Sequence, residues 1–373
     1  MSARSGESFL AQVPAHEVAL VRDLARRVRE LAADPVQQAR KALWTEHNSL
    51  RPARPVLYIS PEGAWEELMP AGTVRCTSPL VTGIEWQLRA RIFQHERLRD
   101  DVVIEPTWEV GPAVRHSGWG LEPRRIAATT HKGAWHFDPV ITAPADLKKL
   151  RTPTVTVDSV ATEENIAFAC ALFDGILEVR RTGIKHLSYH LMNEYTALRG
   201  LEEVMLDMYE EPQMLHDAMA FFEAGHTALL RQYEAMGLLS LNNDDTYQNS
   251  GGKGWTDQLP APGFDPACVR PRDMWASAEA QEMAQVGPEQ HAEFILQYEK
   301  RLLEPFGLTG YGCCEDLTRK LDLVKEIPHI RRISISPWAD VEACAASLGS
   351  GFIVSGKPQP ADMVGAYDEV RIR

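Results

Sequence analysis

The chain has 373 residues, 44% of them hydrophobic and 24% charged, with a formal net charge of −13. That length is enough for a large core, and an α/β barrel of roughly 250 residues or more can form as one domain. The negative balance, with no Lys/Arg cluster interleaved with aromatics, argues against a nucleic-acid footprint. No apolar run approaches the roughly 18 residues a membrane span needs, and the N-terminus has no signal-peptide h-region. Six cysteines without framework spacing point to reduced thiols in a cytoplasmic setting.

Residues 8 to about 48 carry helical periodicity, with Val18, Val21, Leu24, Val28 and Leu31 at three- and four-residue spacing, and Asp34-Pro35 breaks it. Residues 1–50 therefore read as an N-terminal helical extension, a packing cap or a subunit contact, ahead of a main body at 51–373. Short apolar runs ending in polar residues follow as strand candidates. They are Val56 to Glu62, Val102 to Glu105, Leu187 to His190, Leu238 to Asp245, Phe306 to Asp316, Ile333 to Trp338 and Phe352 to Lys357. Helical patterns at 83–98, 160–182, 198–236 and 288–303 separate most of them.

Strands alternating with helices predict a parallel sheet, and the expected fold is a (β/α)8 TIM barrel. Seven candidates against eight leave the barrel one strand short. Either the last helix continues into an eighth strand in a longer chain, or the barrel is open, or another segment fills the gap. The stretch of about 107–150, with Trp108, His116, Trp119, His131, Trp135 and His136, is expected to be an insertion. Its aromatics either touch substrate as a lid or form a satellite core. The loop Asn249 to Trp255 is Gly-rich but lacks Walker spacing.

Polar residues at the C-terminal ends of parallel strands mark the active face of such folds. Glu62, His190 and Glu315 stand there as candidate acids or bases. Glu315 reads equally as a helix cap, and His190 as a satisfied core histidine. Asn193, Asn242, Asp244, Tyr311, Trp338 and Lys357 are candidate substrate contacts. The run Asn242 to Asp245 also fits an Asx turn. Cys313 is a candidate metal ligand or reactive thiol, with Cys314 packed behind it, because neighbouring residues on a strand alternate faces. His329 precedes a strand and reads as structural.

The segments Arg199-Gly-Leu-Glu-Glu, Tyr311-Gly-Cys-Cys-Glu, Ile327 to Trp338 and Ser355-Gly-Lys-Pro resemble the uroporphyrinogen decarboxylase superfamily over roughly residues 50–373. More narrowly, they look like its branch of cobalamin-linked methyltransferases. The true decarboxylases hold substrate carboxylates with an arginine motif after the first strand. This chain has Ser60-Pro-Glu-Gly-Ala-Trp65 there. The methyltransferases bind zinc through His-x-Cys and a later cysteine, and this chain keeps only Cys313 of the first pair.

The resemblance implies methyl transfer between a small methylated substrate and a corrinoid or thiol acceptor, with a corrinoid carried by a partner protein and zinc near Cys313. Two other readings stay open. One is a metal-independent decarboxylase or lyase using His190 and the acids, and the other is a non-catalytic corrinoid- or ligand-binding protein. A homodimer also stays open, since barrels of this kind often pair.

Overall fold

The computed structural model describes residues 6–130, 133, 136–249 and 251–363. His131, Trp135 and the expected C-terminal helix beyond 363 lie outside the described residues. The chain forms two compact units.

Unit 1 comprises residues 1–115, 156–185 and 255–257. The expected N-terminal helices are Ala15–Ala32 and Val36–Asn48. The first presents Val21, Ala25, Val28 and Leu31, at three- and four-residue steps, to a core shared with Leu88, Ile104, Phe168 and Leu172. Leu88 lies on the helix Thr82–Phe93, and Phe168 and Leu172 lie on Ser159–Phe173. The latter helix begins at Asp158, whose side chain accepts from the Ala161 N–H. Its last turn is closed from outside, because Arg22 donates to the carbonyls of Ala171 and Leu172. A short parallel pair joins Thr107–Val110 to Glu178–Arg181.

Unit 2 comprises residues 116–155, 186–254 and 258–373. Its centre is a five-stranded sheet of Ser188–Tyr189, Trp275–Ala278, Leu308–Tyr311, Ile330–Ile335 and Ile353–Gly356. Every neighbour in it is parallel, and the spatial order follows the chain order. The second and third strands are buried at every position, as central strands covered on both faces must be. Helices Leu191–Arg199, Leu201–Glu210, Pro212–Ala235 and Val341–Leu348 belong to this unit. So does the helical run from Pro288 to Leu303, which carries a π-turn in its middle.

The eight-stranded barrel is not there. Among the described residues the largest sheet has five strands, and the strand Ser188–Tyr189 at one edge and Ile353–Gly356 at the other do not pair with each other. Three of the seven expected strands fail for an identifiable reason. At Val56 to Ile59 the N–H groups of Leu57 and Ile59 bond to the carboxylates of Asp101 and Asp100 instead of a neighbouring strand. The Asp100 carboxylate also takes the Val102 N–H, at the start of the expected second strand. After Leu238 to Leu241, the Asn242 side-chain amide docks on the backbone of Trp275. It donates to the Trp275 carbonyl at 2.9 Å and accepts from the Trp275 N–H at 2.9 Å. A side chain there does what a strand backbone would have done.

Of the described aromatics of the 107–150 stretch, Trp108, His116 and Trp119 pack, and His136 is exposed. Trp108 joins the core of unit 1. In unit 2, Trp119 lies against Phe222 and His226, while His116 meets the Tyr233 hydroxyl at 2.7 Å. Gly225 is glycine because a Cβ there would sit 2.3 Å from the Trp119 ring.

Candidate active site

The strands of the five-stranded sheet end side by side, so the residues following them gather along one edge. His190 follows the first strand, Glu279 the second, Cys313 the third and Lys357 the fifth. The parallel register does the gathering: Gly312 donates to the Ala278 carbonyl, and Lys357 N–H donates to that of Ile335.

His190 is held on both ring nitrogens. Nδ1 lies 2.5 Å from Glu279 Oε1, and Nε2 lies 2.7 Å from Ser188 Oγ. Ser188 Oγ in turn accepts from Ser277 at 3.0 Å and from Asn249 Nδ2 at 3.1 Å. The His190 side chain is 34% exposed, whereas that of Glu279 is 3% exposed. Burial works against charge on His190. The Glu279 hydrogen bond, with the charges of Glu279, Glu282 and Glu194, outweighs it and raises the imidazole pKa above its ordinary 6.5. A histidine so placed has its protonated form favoured and can give that proton up to a stronger base.

Glu282 sits one turn beyond Glu279 and accepts from Asn193 Nδ2 at 2.7 Å. Burial raises its pKa, and the Glu279 charge adds to this. One buried oxygen of each carboxylate, Glu279 Oε2 and Glu282 Oε2, has no hydrogen-bond partner. Deeper still, Tyr311 donates to Glu299 Oε2 at 2.9 Å and meets His291 Nε2 at 3.0 Å. All three residues are fully buried. Burial, reinforced by the charges of Glu315, Glu279 and Glu282, holds Glu299 well above the usual carboxylate range. It pushes His291 down to about 3. The edge of the sheet is therefore rich in acids that prefer their protons.

Cys313 borders this group on its other side. Its Sγ lies 3.8 Å from Lys357 Nζ and 3.5 Å from Cys314 Sγ. Lys357 Nζ also donates to the Cys313 carbonyl at 2.5 Å and to Ser334 Oγ at 3.1 Å. Burial pushes the Cys313 thiol up to about 12, although the Lys357 charge opposes it.

The other expected residues take different parts. Glu315 is fully buried and ties two backbones, accepting from Cys313 N–H and Ala280 N–H. Asn242 is the strand substitute described above. Asp244 closes an Asx turn on the N–H and hydroxyl of Thr246. Tyr311 is buried in the Glu299 network, and Trp338 is 70% exposed on the loop after its strand. Glu62 belongs to unit 1, exposed in a 3-10 turn. His329 Nδ1 donates to the Phe306 carbonyl at 2.5 Å, a packing role. Lys357, Cys313, His190 and Asn193 are the sequence candidates that meet at the sheet edge.

Ser188, Glu279, Glu282, His291 and Glu299 were not legible as site residues. The one available signal was Trp275-Ala-Ser-Ala-Glu279, a short apolar run closed by a carboxylate. It lacks the β-branched residues that mark a strand.

The surroundings of Cys313 do not fit zinc. A zinc-bound sulfur is a thiolate with His, Cys or carboxylate co-ligands. Here burial favours the thiol and an ammonium stands 3.8 Å from it. Among the described residues no three His, Cys, Asp or Glu side chains converge as a metal site. No helix among them is long and apolar enough to cross a membrane. Compared with protein-family models, with curated proteins and with solved structures, the chain matches none.

Proposed function

We propose that this protein is an acid–base enzyme, a metal-independent lyase of the decarboxylase type, acting on a small carboxylate at the C-terminal edge of the five-stranded sheet. The observation that carries this reading is the chain Ser188–His190–Glu279, with an imidazole gripped at 2.7 and 2.5 Å and its protonated form favoured by its carboxylate.

The chemistry needs an anchor for the anion and a proton for the carbon it leaves behind. Lys357, half-buried at the end of the fifth strand, is the anchor. Its ammonium donates to the Cys313 carbonyl, to Ser334 Oγ and, at 3.8 Å, to Cys313 Sγ, and a substrate carboxylate would replace the weak sulfur contact. When the C–C bond to the carboxylate breaks, its electron pair passes to the substrate carbon and CO2 departs. The carbanion then takes a proton from His190. Nε2, which accepts from the Ser188 hydroxyl in the resting arrangement, is the nitrogen a substrate reaches on displacing that hydroxyl, and it carries the transferable proton only then. Glu279 stabilises the imidazolium before the transfer, and solvent restores the proton afterwards. Cys313, as a neutral thiol, gives this edge an uncharged face that suits a developing carbanion.

The test is a panel of small carboxylic acids incubated with the protein in D2O and a chelator, followed by mass spectrometry. The expected result is CO2 loss with one solvent deuterium gained. His190→Asn should lower the rate by ~10²–10⁴-fold. Turnover that survives unchanged in His190→Asn, or that stops when the chelator is added, overturns the proposal.

A further inference from the structure

At the other end of the same sheet in unit 2 lies a second, differently charged hollow of about 340 Å³. Arg231, Arg270 and Arg272 line it, with Thr227, Leu230 and Glu234 among its walls. Thr227, Leu230, Arg231 and Glu234 lie at steps of three and four along Pro212–Ala235, so one helix face supplies them. Arg270 and Arg272 come from the 3-10 turn that leads into the strand Trp275–Ala278. They precede that strand, whereas Glu279 follows it. Four residues of strand, roughly 13 Å at ~3.3 Å each, separate the two ends.

We infer that this hollow is a binding site for a small phosphate monoester. Three arginines line it in a chain whose net charge is −13. Neither Arg231 nor Arg272 makes a hydrogen bond or ion pair with any described residue. Arg270 is already engaged, its Nε in an ion pair 3.5 Å from Asp273 Oδ2 and its Nη2 donating to the Gly263 carbonyl at 3.4 Å, so it adds fixed positive charge to the wall. The Asp273 carboxylate is engaged by the N–H groups of Ala261 and Arg270.

Guanidinium is the side chain whose planar fork of donors matches a phosphate, and the two uncommitted forks of Arg231 and Arg272 can grip its terminal oxygens. Leu230 and two prolines, Pro271 and Pro305, give an apolar wall for the organic part of the ligand. The volume sits at the small end of ligand sites and suits a compact molecule. The acid among the lining residues, Glu234, has its pKa raised by burial, with Arg231 opposing the rise. The site shares no side chain with the His190 edge, so a ligand here acts as an effector or as a second recognition element.

Titration of the full chain at low salt with inorganic phosphate and with phenyl phosphate, followed by calorimetry and by ³¹P shifts, tests this. Saturable binding is expected, tighter for the monoester because of the apolar wall. It should weaken at least tenfold in Arg231→Gln/Arg272→Gln and be unchanged in Lys357→Met. Both arginines are exposed, so the variant should retain the wild-type circular dichroism and melting temperature. Absence of saturable binding, equal affinity in the double variant, or loss in Lys357→Met instead would overturn the inference.

Discussion

Cys313 shows how a single side chain acquires its character from its neighbours. Burial pushes the thiol up to about 12, and Lys357, 3.8 Å away, pulls the other way. At neutral pH it is a thiol and a poor nucleophile. Iodoacetamide should therefore modify the exposed Cys170, Cys268 and Cys314 well before Cys313, and Lys357→Met should slow Cys313 further. Peptide mapping reads the order, and early labelling of Cys313 would contradict it.

Tyr311 lies two residues away and has a different duty. Its hydroxyl is the shared partner of Glu299 and His291, both of which already carry one unpartnered buried atom. Tyr311→Phe should cost about 1–3 kcal/mol for each further group left unsatisfied. Denaturant unfolding measures this, and wild-type stability in the variant would show the network to be dispensable.

His190 ties pH to stability. Its folded pKa is raised, so its contribution is fully present below 6.5 and is lost as pH rises through the folded value. Glu279→Gln should flatten that part of the stability profile.

At the scale of elements, side chains decide where strands stop being strands. Asn242 holds both polar groups of the Trp275 backbone, and Gly254 packs so closely that a Cβ there would fall 1.9 Å from the Asn242 carbonyl. Gly254→Ala should destabilise by about 1–3 kcal/mol, the usual range for forced overpacking. Asn242→Ala should also lower the melting temperature. Neither should move the His190 titration, and a shift in it would give Asn242 back a direct role at the site.

The same elements explain what could be read from the sequence. Leu308–Tyr311, Ile330–Ile335 and Ile353–Gly356 announce themselves as apolar runs closed by polar residues, and so does Ser188–Tyr189. The helices at Ala15–Ala32, Thr82–Phe93, Ser159–Phe173 and Pro212–Ala235 follow their periodicity. Trp275-Ala-Ser-Ala278 escaped because its small residues suit a strand only when both faces are covered. The barrel was over-read because Val56 to Ile59, Val102 to Ile104 and Leu238 to Leu241 have strand-like apolarity. Asp100 and Asp101 claim backbone N–H groups of the first two, and after the third the Asn242 side chain occupies the Trp275 backbone, and pattern alone does not reveal such capture. The site was half legible for a related reason. His190, Cys313 and Lys357 stand at recognisable strand ends. Glu299 looks like any helical glutamate until the fold buries it.

At the scale of the molecule the two units differ in how they answer acid. In unit 1, burial raises Glu85 and Asp101, but hydrogen bonds outweigh it. Cys76 N–H and Arg89 hold Glu85 down, and Arg54 and Leu57 N–H hold Asp101 down. Carboxyls with lowered folded pKa values lose their stabilising effect as pH falls through those values. In unit 2, burial raises Glu282 and Glu299, so acid relieves a cost there instead. Lowering the pH below ~4 should loosen unit 1 before unit 2. Hydrogen exchange corrected for intrinsic rates resolves the two, and simultaneous loss or the reverse order would count against this division of charge.

The proposed chemistry stands on the imidazole at the sheet edge, and its titration can be measured without a substrate. The His190 ring signals, assigned by their absence in His190→Asn, should be followed by NMR against pH in the wild type and in Glu279→Gln. A midpoint above 6.5 that falls in the variant is the expected result. A midpoint at or below 6.5, or one indifferent to Glu279, would remove the acid–base centre from this site.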